Sequence, residues 1–410
     1  VPRYEQRRWE ANWGGFEGRR SRAPVLYEAY IPDPIAELEF ALPAEIVTVV
    51  SEAERATANL NQNPPSHGHP EALARRLLRA ESVASSRIEG LVLSHRRLAK
   101  AEVAGEEARD ETACSILGNI RAMEEAIALG ARQEAITPAD ILRLHEHLMM
   151  ATSTPQFAGR FRTEQNWIGG TGFNPAGAEF VPPPPEYVPA LMEDLCAFAG
   201  RDDLPPVVQA AVVHAQFETI HPFPDGNGRV GRALIHVVLR RRGLTPRYVP
   251  PVSLILATNG DEYVRGLTMY RDSRVAEWCG VFAGAVRLAA LESVSFANSL
   301  SELQTRWMAA AGNPRKDSSA AGIIAFLPAH PILTVATAQT LLGRSKQAAN
   351  EAMSLLESAG VLRQISIGKR NRAWEAVGLF DLINGFERML ATPHGEEEPS
   401  RAAPMEHAER

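Results

Sequence analysis

The chain is poor in the features that staple a fold or cross a bilayer. Its 410 residues hold three cysteines, Cys114, Cys196 and Cys279. They are odd in number and far apart, which excludes a disulfide framework or a metal knuckle and fits a reducing compartment. No uninterrupted apolar run approaches the roughly 18 residues needed to span a membrane. No hydrophobic stretch follows the opening Val1–Trp9, so neither an anchor nor a signal peptide is expected, and the expected location is cytoplasmic with no membrane partner. A net charge of −6 argues against wholesale coating of a polyanion and leaves only local basic patches. No repeat period is visible. With 45% apolar and 22% charged residues, the chain is neither disordered throughout nor collagen-like. At about 150 residues per domain, two or three domains are expected.

What is present reads mostly as helix. Stretches around 44–59 and 71–86 are helical, separated by Asn63-Pro64-Pro65-Ser66. From Glu111, Ile116, Ile120, Met123 and Ile127 recur at spacings of three and four, which predicts one buried face. Thr137-Pro138-Ala139-Asp140 is a start signal for a helix to Met149. Glycine, asparagine and proline then crowd between Trp167 and Phe180 with aromatic and β-branched flanks, predicting a short hairpin. Helices are expected again over 188–199, 206–220, 227–242 and 259 to about 303.

The most informative stretch is Thr219-Ile220-His221-Pro222-Phe223-Pro224-Asp225-Gly226-Asn227-Gly228-Arg229-Val230-Gly231-Arg232. The prolines stop one helix, and Gly226-Asn227-Gly228 opens the next, whose positive end and free N–H groups form an anion site. Arg229 and Arg232 add guanidinium forks on adjoining parts of one face. Asp225 supplies a hard carboxylate suited to Mg²⁺ shared with phosphates, and His221 is placed for base work beside them.

This segment resembles the Fic (Fido-superfamily) signature, His-x-Phe-x-(Asp/Glu)-Gly-Asn-Gly-Arg-x-x-Arg, at every specified position. Gln165-Asn166-Trp167-Ile168-Gly169-Gly170 with Phe180-Val181-Pro182 is similar to the family's flap, and His214–Ile220 to the helix before the signature. The resemblance implies transfer of AMP from ATP to a Ser, Thr or Tyr hydroxyl of a target protein, with release of pyrophosphate. It makes His221 the general base, Asp225 the Mg²⁺ ligand and the run Gly226, Asn227, Gly228, Arg229, Val230, Gly231 and Arg232 the ATP site, with Arg232 on the γ-phosphate. Gly231 would leave room beside the arginines. Gly228, where phosphate-transferring relatives carry Lys, points to AMP transfer. The cation cluster is expected to keep His221 neutral.

Ser85-Ser86-Arg87-Ile88-Glu89-Gly90 matches the family's inhibitory pattern, which implies that Ser85, Glu89 and Gly90 form an N-terminal brake in which Glu89 pairs with Arg232. Ile168, Gly169 and Gly170 would dock the target's segment as an added strand, and Asn259 would contact adenine while Tyr263 packs in the core. His145-Glu146-His147 is read as a solvated helix face, His214 as a satisfied core histidine, and Pro182–Pro185 as a stiff flap exit.

Residues 320–380 resemble a winged helix-turn-helix, with apolar Ile323, Ile324 and Leu327, helices over 334–342 and 345–358, and strands over 362–367 and 372–377. Six basic residues, Arg344, Lys346, Arg363, Lys369, Arg370 and Arg372, face Glu351, Glu357 and Glu375, a local +3. That patch suits nucleic-acid phosphates or a protein surface. The expected fold is mainly α: residues 1–110 helical with the inhibitory motif, a Fic core with a β-hairpin flap over 111–312, a winged helix-turn-helix over 318–380, and a mobile tail over 392–410. The favoured expectation is an autoinhibited adenylyltransferase using ATP and Mg²⁺, with self-modification and a homodimer left open. The rivals are a Fic enzyme that removes AMP, with Glu89 positioning water, and a DNA-binding regulator whose core only senses nucleotide.

Overall fold

The computed structural model describes residues 3–10, 24–62, 70–105, 110–170, 173–367 and 371–391. The break expected at 63–66, the wing-tip residues Lys369 and Arg370, and the expected mobile tail lie outside that set. Among the described residues there are fifteen α-helices and five short strands.

The centre is α7 (Pro206–Ile220), which is apolar or buried on nearly every side, from Val207, Val208 and Val212 through Phe217. A helix with no solvated face must be surrounded, and α6 (Val188–Ala199), α8 (Asn227–Arg241), α10 (Gly260–Arg271), α11 (Val275–Ala310) and α1 (Ala44–Gln62) pack around it. Helix α8 also lies against α4 (Glu111–Ala131), which packs in turn on α5 (Pro138–Met149) and α2 (Pro70–Ile88). The sequence signals are realised locally. Ile116, Ile120 and Met123 are buried on α4, and Thr137 and Asp140 form a reciprocal capping box at α5.

Four expectations are corrected. The single helix from 259 is two, because the chain turns at Asp272–Arg274 with Ser273 at φ 64°; α9 (Val252–Thr258) precedes them. The 167–180 hairpin is one antiparallel bridge, Ile168 to Phe180, since Gly169 and Gly170 at φ 76° and 69° turn the chain where a ladder would run. The opening residues form a hairpin, β1 (Arg3–Trp9) with β2 (Val25–Ile31). Finally, α11 does reach membrane-span length and apolarity, with a mean hydropathy of 1.4 over 18 residues. Arg287, Glu292 and the serines that follow break the apolar stretch and hide this from a search for unbroken runs. Its buried stripe of Trp278, Phe282, Val286, Phe296, Leu300 and Trp307 is a core face on α1, α7, α9 and α10.

Beyond a turn at 311–318, α12 (Ser319–Phe326), α13 (Val335–Leu342) and α14 (Lys346–Ser358) pack together against an antiparallel sheet. Its order is β3 (Ile332–Leu333), β5 (Asn371–Ala376), β4 (Leu362–Ile367). Helix α15 (Leu379–Ala391), absent from the sequence expectations, returns to pack on α11, α9 and α3 (His95–Ala104). One contiguous core therefore runs from Leu77 and Phe217 through Trp307 to Ile324, Leu356 and Phe386.

Candidate active site

His221 ends α7 in the left-handed region, φ 50° and ψ 58°, a conformation that a non-glycine residue holds only when its surroundings impose it. They do. Its N–H donates to the Phe217 carbonyl at 2.9 Å, and its carbonyl accepts from Arg162 Nε at 2.9 Å and Asn166 Nδ2 at 3.2 Å. Arg162 is buried and spends its remaining donors on the Glu164, Pro183 and Ile220 carbonyls, so the base of the flap staples the end of α7. Six residues on, Asn227 closes the loop: its Oδ1 accepts from Phe223 N–H and its Nδ2 donates to Phe223 O, both at 2.8 Å. The side chain expected in the anion hole is therefore committed to the loop, leaving only the Asn227 N–H for a ligand.

His145 corrects the solvated-face reading. It is fully buried, stacks on Phe223 with ring centroids 3.7 Å apart, donates from Nε2 to the Asp225 carbonyl at 3.0 Å and accepts the Gly159 N–H at Nδ1. Burial holds its pKa down at about 4. It sits at i+4 from Ile141 on the inner face of α5, a period that was open to sequence reading; His147 is half-buried. His214 is buried, with Nε2 2.9 Å from the Tyr263 hydroxyl, while its Nδ1 has no hydrogen-bond partner.

Helix α8 begins at Gly226, φ 81°, with no side-chain cap, so its first N–H groups stay available for an anion. Above them lies a carboxylate from the protein itself. A Cβ built on Gly228 would sit 2.1 Å from Glu89 Oε1, so glycine is what admits that oxygen. Arg232, 1% exposed, donates from Nη2 to Glu89 Oε1 at 2.6 Å and to Ser85 O at 2.9 Å, and from Nε to Ser85 Oγ at 2.9 Å. The Glu89 pKa is depressed: burial opposes ionisation, but the Arg232 charge and hydrogen bond overcome it, helped by Arg229. Arg232 is raised correspondingly by Glu89, against its own burial. Gly90, φ 78°, ends the α2 turn that presents Glu89. Ser85 and Glu89 thus meet Arg232 as the motif suggested, and Gly228 lies under the carboxylate, a contact the motif did not specify.

Arg229 is buried and reaches Ser115 Oγ and Asp225 Oδ1, each at 3.3 Å. Asp225 is half-exposed and caps the Gly226 N–H at 2.6 Å through Oδ1, which leaves Oδ2 facing outward near the Thr154 hydroxyl at 3.5 Å. Among the described residues no group of three or more His, Cys, Asp or Glu side chains is placed to hold a metal. One outward carboxylate oxygen fits Mg²⁺ in the way that ion is commonly held, by one or two carboxylates together with substrate phosphates.

Burial, with a contribution from Arg162, holds His221 at about 4; the expected cause, the arginine pair on α8, is not what does it. Gly231 also serves differently from expectation. A Cβ there would lie 2.6 Å from Glu218 Oε1 and 2.9 Å from the Phe217 ring, so it lets α7 and α8 close, and the space beside it belongs to Glu218. That carboxyl is pushed up to about 7 by burial, with Oε2 3.8 Å from His221 Nδ1. Val230 points its side chain into the core at 2% exposure, so only its backbone can face a nucleotide. Asn259 is exposed between α9 and α10, and Tyr263 is buried. Ile168 is 38% exposed, and Gly169 and Gly170 make the close turns of the flap against Glu179 and Gly177. A cleft of about 730 Å³ lined by Phe157, Phe161, Trp167 and Pro224 runs along the flap's base. Sequence reading missed Arg162, Asn166, His145 and Glu218, which act through packing with partners distant in sequence or by burial.

Comparison with known proteins agrees with this geometry. Residues 135–239 match the Fic/DOC family, and residues 47–128 match the Fic/DOC family N-terminal region. Protein adenylyltransferase fic-1 of Caenorhabditis elegans is 29% identical over 164 residues, covering 37% of this chain and 30% of that protein. A probable protein adenylyltransferase of Aquifex aeolicus is 31% identical over 174 residues, covering 41% and 49%. The chain thus spans less than half the length of these relatives. In structure, a Fic family protein from Desulfovibrio desulfuricans aligns over 83% of this chain and 98% of its own, with a TM-score of 0.52 and 22% identity, a likeness of fold. The signature loop, the helix that cradles it and the residues that match all lie in one segment, so residues 135–239 are similar to the Fic/DOC family and carry its signature.

Proposed function

We propose that the protein is an adenylyltransferase that moves AMP from ATP to a hydroxyl of a target protein and that Glu89 holds it inactive. The observation that carries this reading is the uncapped start of α8 with two buried arginines and an adjacent imidazole, its anion seat filled by Glu89.

In the transfer, the hydroxyl oxygen attacks the α-phosphorus, its proton passes to His221 Nε2, and the bond to the β-phosphate breaks to release pyrophosphate. The Nδ1 edge is buried toward Glu218, which leaves Nε2 as the base. Its depressed pKa keeps the ring neutral at physiological pH. Charge growing on the leaving group meets Arg229, Arg232 and the N–H groups of α8. Asp225 would hold Mg²⁺, which when bound supplies positive charge to the phosphates. The flap between Ile168 and Phe180 would align the target segment through its exposed main chain. With Glu89 on Arg232, the γ-phosphate finds its partner taken and a like charge in place, so ATP settles out of line for attack. The excess of basic residues in the C-terminal unit's sequence suits a nucleic acid or protein partner.

α-Labelled ATP with Mg²⁺ tests the reading on the intact chain. Glu89→Gly is expected to raise self-labelling at least tenfold over the unsubstituted protein, and Glu89→Gly with His221→Ala to abolish it. Absence of label from every protein in a lysate treated with Glu89→Gly would point instead to nucleotide sensing, and release of AMP from a pre-modified target would point to removal.

A further inference from the structure

The corner that presents Glu89 is gripped from the far end of the chain. The last turn of α2 closes through Gly90 N–H to Arg87 O at 2.9 Å and Leu91 N–H to Ser86 O at 3.0 Å, and α3 starts a few residues later at His95, capped by Ser94. On either side of the Glu89–Gly90 turn, one carboxylate on α15 takes hold. Arg87 Nη2 donates to Glu387 Oε2 at 2.7 Å, and His95 Nε2 meets Glu387 Oε1 at 2.5 Å. The other edge of the His95 ring lies 3.3 Å from Arg76 Nη2, a donor, so Nδ1 accepts and Nε2–H donates to Glu387. A second grip lies beside the first: Arg96 pairs with buried Glu375 of β5 at 2.8 Å and stacks over Phe380.

These contacts are not surface decoration. Side-chain exposure is 5% for His95 and 12% for Glu387, where a hydrogen bond to an ionised carboxylate is weakened little by solvent. They join residues about three hundred positions apart in sequence and tie a C-terminal helix to the two-residue turn from which Glu89 reaches Arg232. The Glu89 backbone N–H is held within its own helix, by Ser86 O at 3.2 Å.

From this we infer that Glu387 is a positioning residue for Glu89: by clamping Arg87 and His95 it keeps the carboxylate seated on Arg232, and displacement of α15 switches AMP transfer on. The inference rests on the reading of Glu89 as the brake. A partner on the C-terminal unit would act through this clamp, since the unit's core is continuous with α15.

The test compares four full-length proteins with α-labelled ATP and Mg²⁺: unsubstituted, Glu387→Gln, Glu89→Gly and the double variant. Glu387→Gln is expected to raise self-labelling at least fivefold over the unsubstituted chain. In the Glu89→Gly background it should change labelling by less than twofold, because the brake it positions is already gone. Amide exchange at Glu89, Gly90 and Leu91 should quicken in Glu387→Gln, a change that nucleotide chemistry does not enter. Arg87→Met, at a half-exposed site, approaches the same clamp from its other side and should behave alike. The clamp is overturned if folded Glu387→Gln and Arg87→Met stay at the unsubstituted level while Glu89→Gly is active, or if Glu387→Gln activates equally without Glu89. If Glu89→Gly itself gains nothing, the brake reading fails and the clamp falls with it.

Discussion

The left-handed backbone at His221 and the side chain of Asn227 set the site before any ligand arrives. Two consequences are measurable at this scale. An unperturbed histidine titrates near 6.5, but burial brings His221 to about 4. In its proposed role as base His221 must be neutral, and a depressed pKa keeps it so through mildly acid solution. The acid limb of kcat/KM for Glu89→Gly should therefore fall below about pH 5; a limb near 6.5 would show a solvated imidazole. Asn227→Ala removes both bonds to Phe223 and leaves a buried N–H and carbonyl bare, at a cost of about 1–3 kcal/mol by urea unfolding. The placement of this loop at a helix start, with Glu89 on Arg232, was legible in sequence, because both motifs set particular residue types at fixed spacing. Its supports were not. Nothing in the string announces that Arg162 will be buried against four carbonyls, or that Glu218 will fill the space expected beside Gly231.

Among the elements, the close approach of α7 and α8 depends on Gly231. Gly231→Ala would drive a methyl into the Phe217 ring and Glu218, and overpacking of this kind costs about 1–3 kcal/mol, to be read from the unfolding midpoint. At Gly90 space is open and the penalty is conformational alone. Gly90→Ala should cost about 1–2 kcal/mol without altering the core. Helices with caps and one apolar stripe, such as α5 and α4, were readable from spacing. The break between α10 and α11 was not, since Asp272-Ser273-Arg274 contains neither glycine nor proline. Helix α15 carries a good apolar face but sits where the sequence suggested a trailing end.

For the molecule as a whole, the shared core makes the C-terminal unit a support for the helices around α7. Cutting the chain at 312 would bare Phe296, Leu300 and Trp307; the shortened protein should bind a hydrophobic dye and lose its sharp unfolding transition. Glu387 adds a pH signature. Despite its burial, His95 and Arg87 depress its pKa to about 2, below its unfolded value near 4.3. Its stabilisation is therefore full above about pH 4.5 and lost as the pH falls toward 2, and Glu387→Gln should flatten acid unfolding in that window. In the proposed brake, finally, Glu89 is a competitor tied to its own receptor. Its local dose is fixed by the tether and does not thin out on dilution. Flooding the solution with nucleotide shifts such a contest only in proportion to the logarithm of supply, whereas a small displacement of the tether vacates the seat outright. The device answers to shape before it answers to abundance.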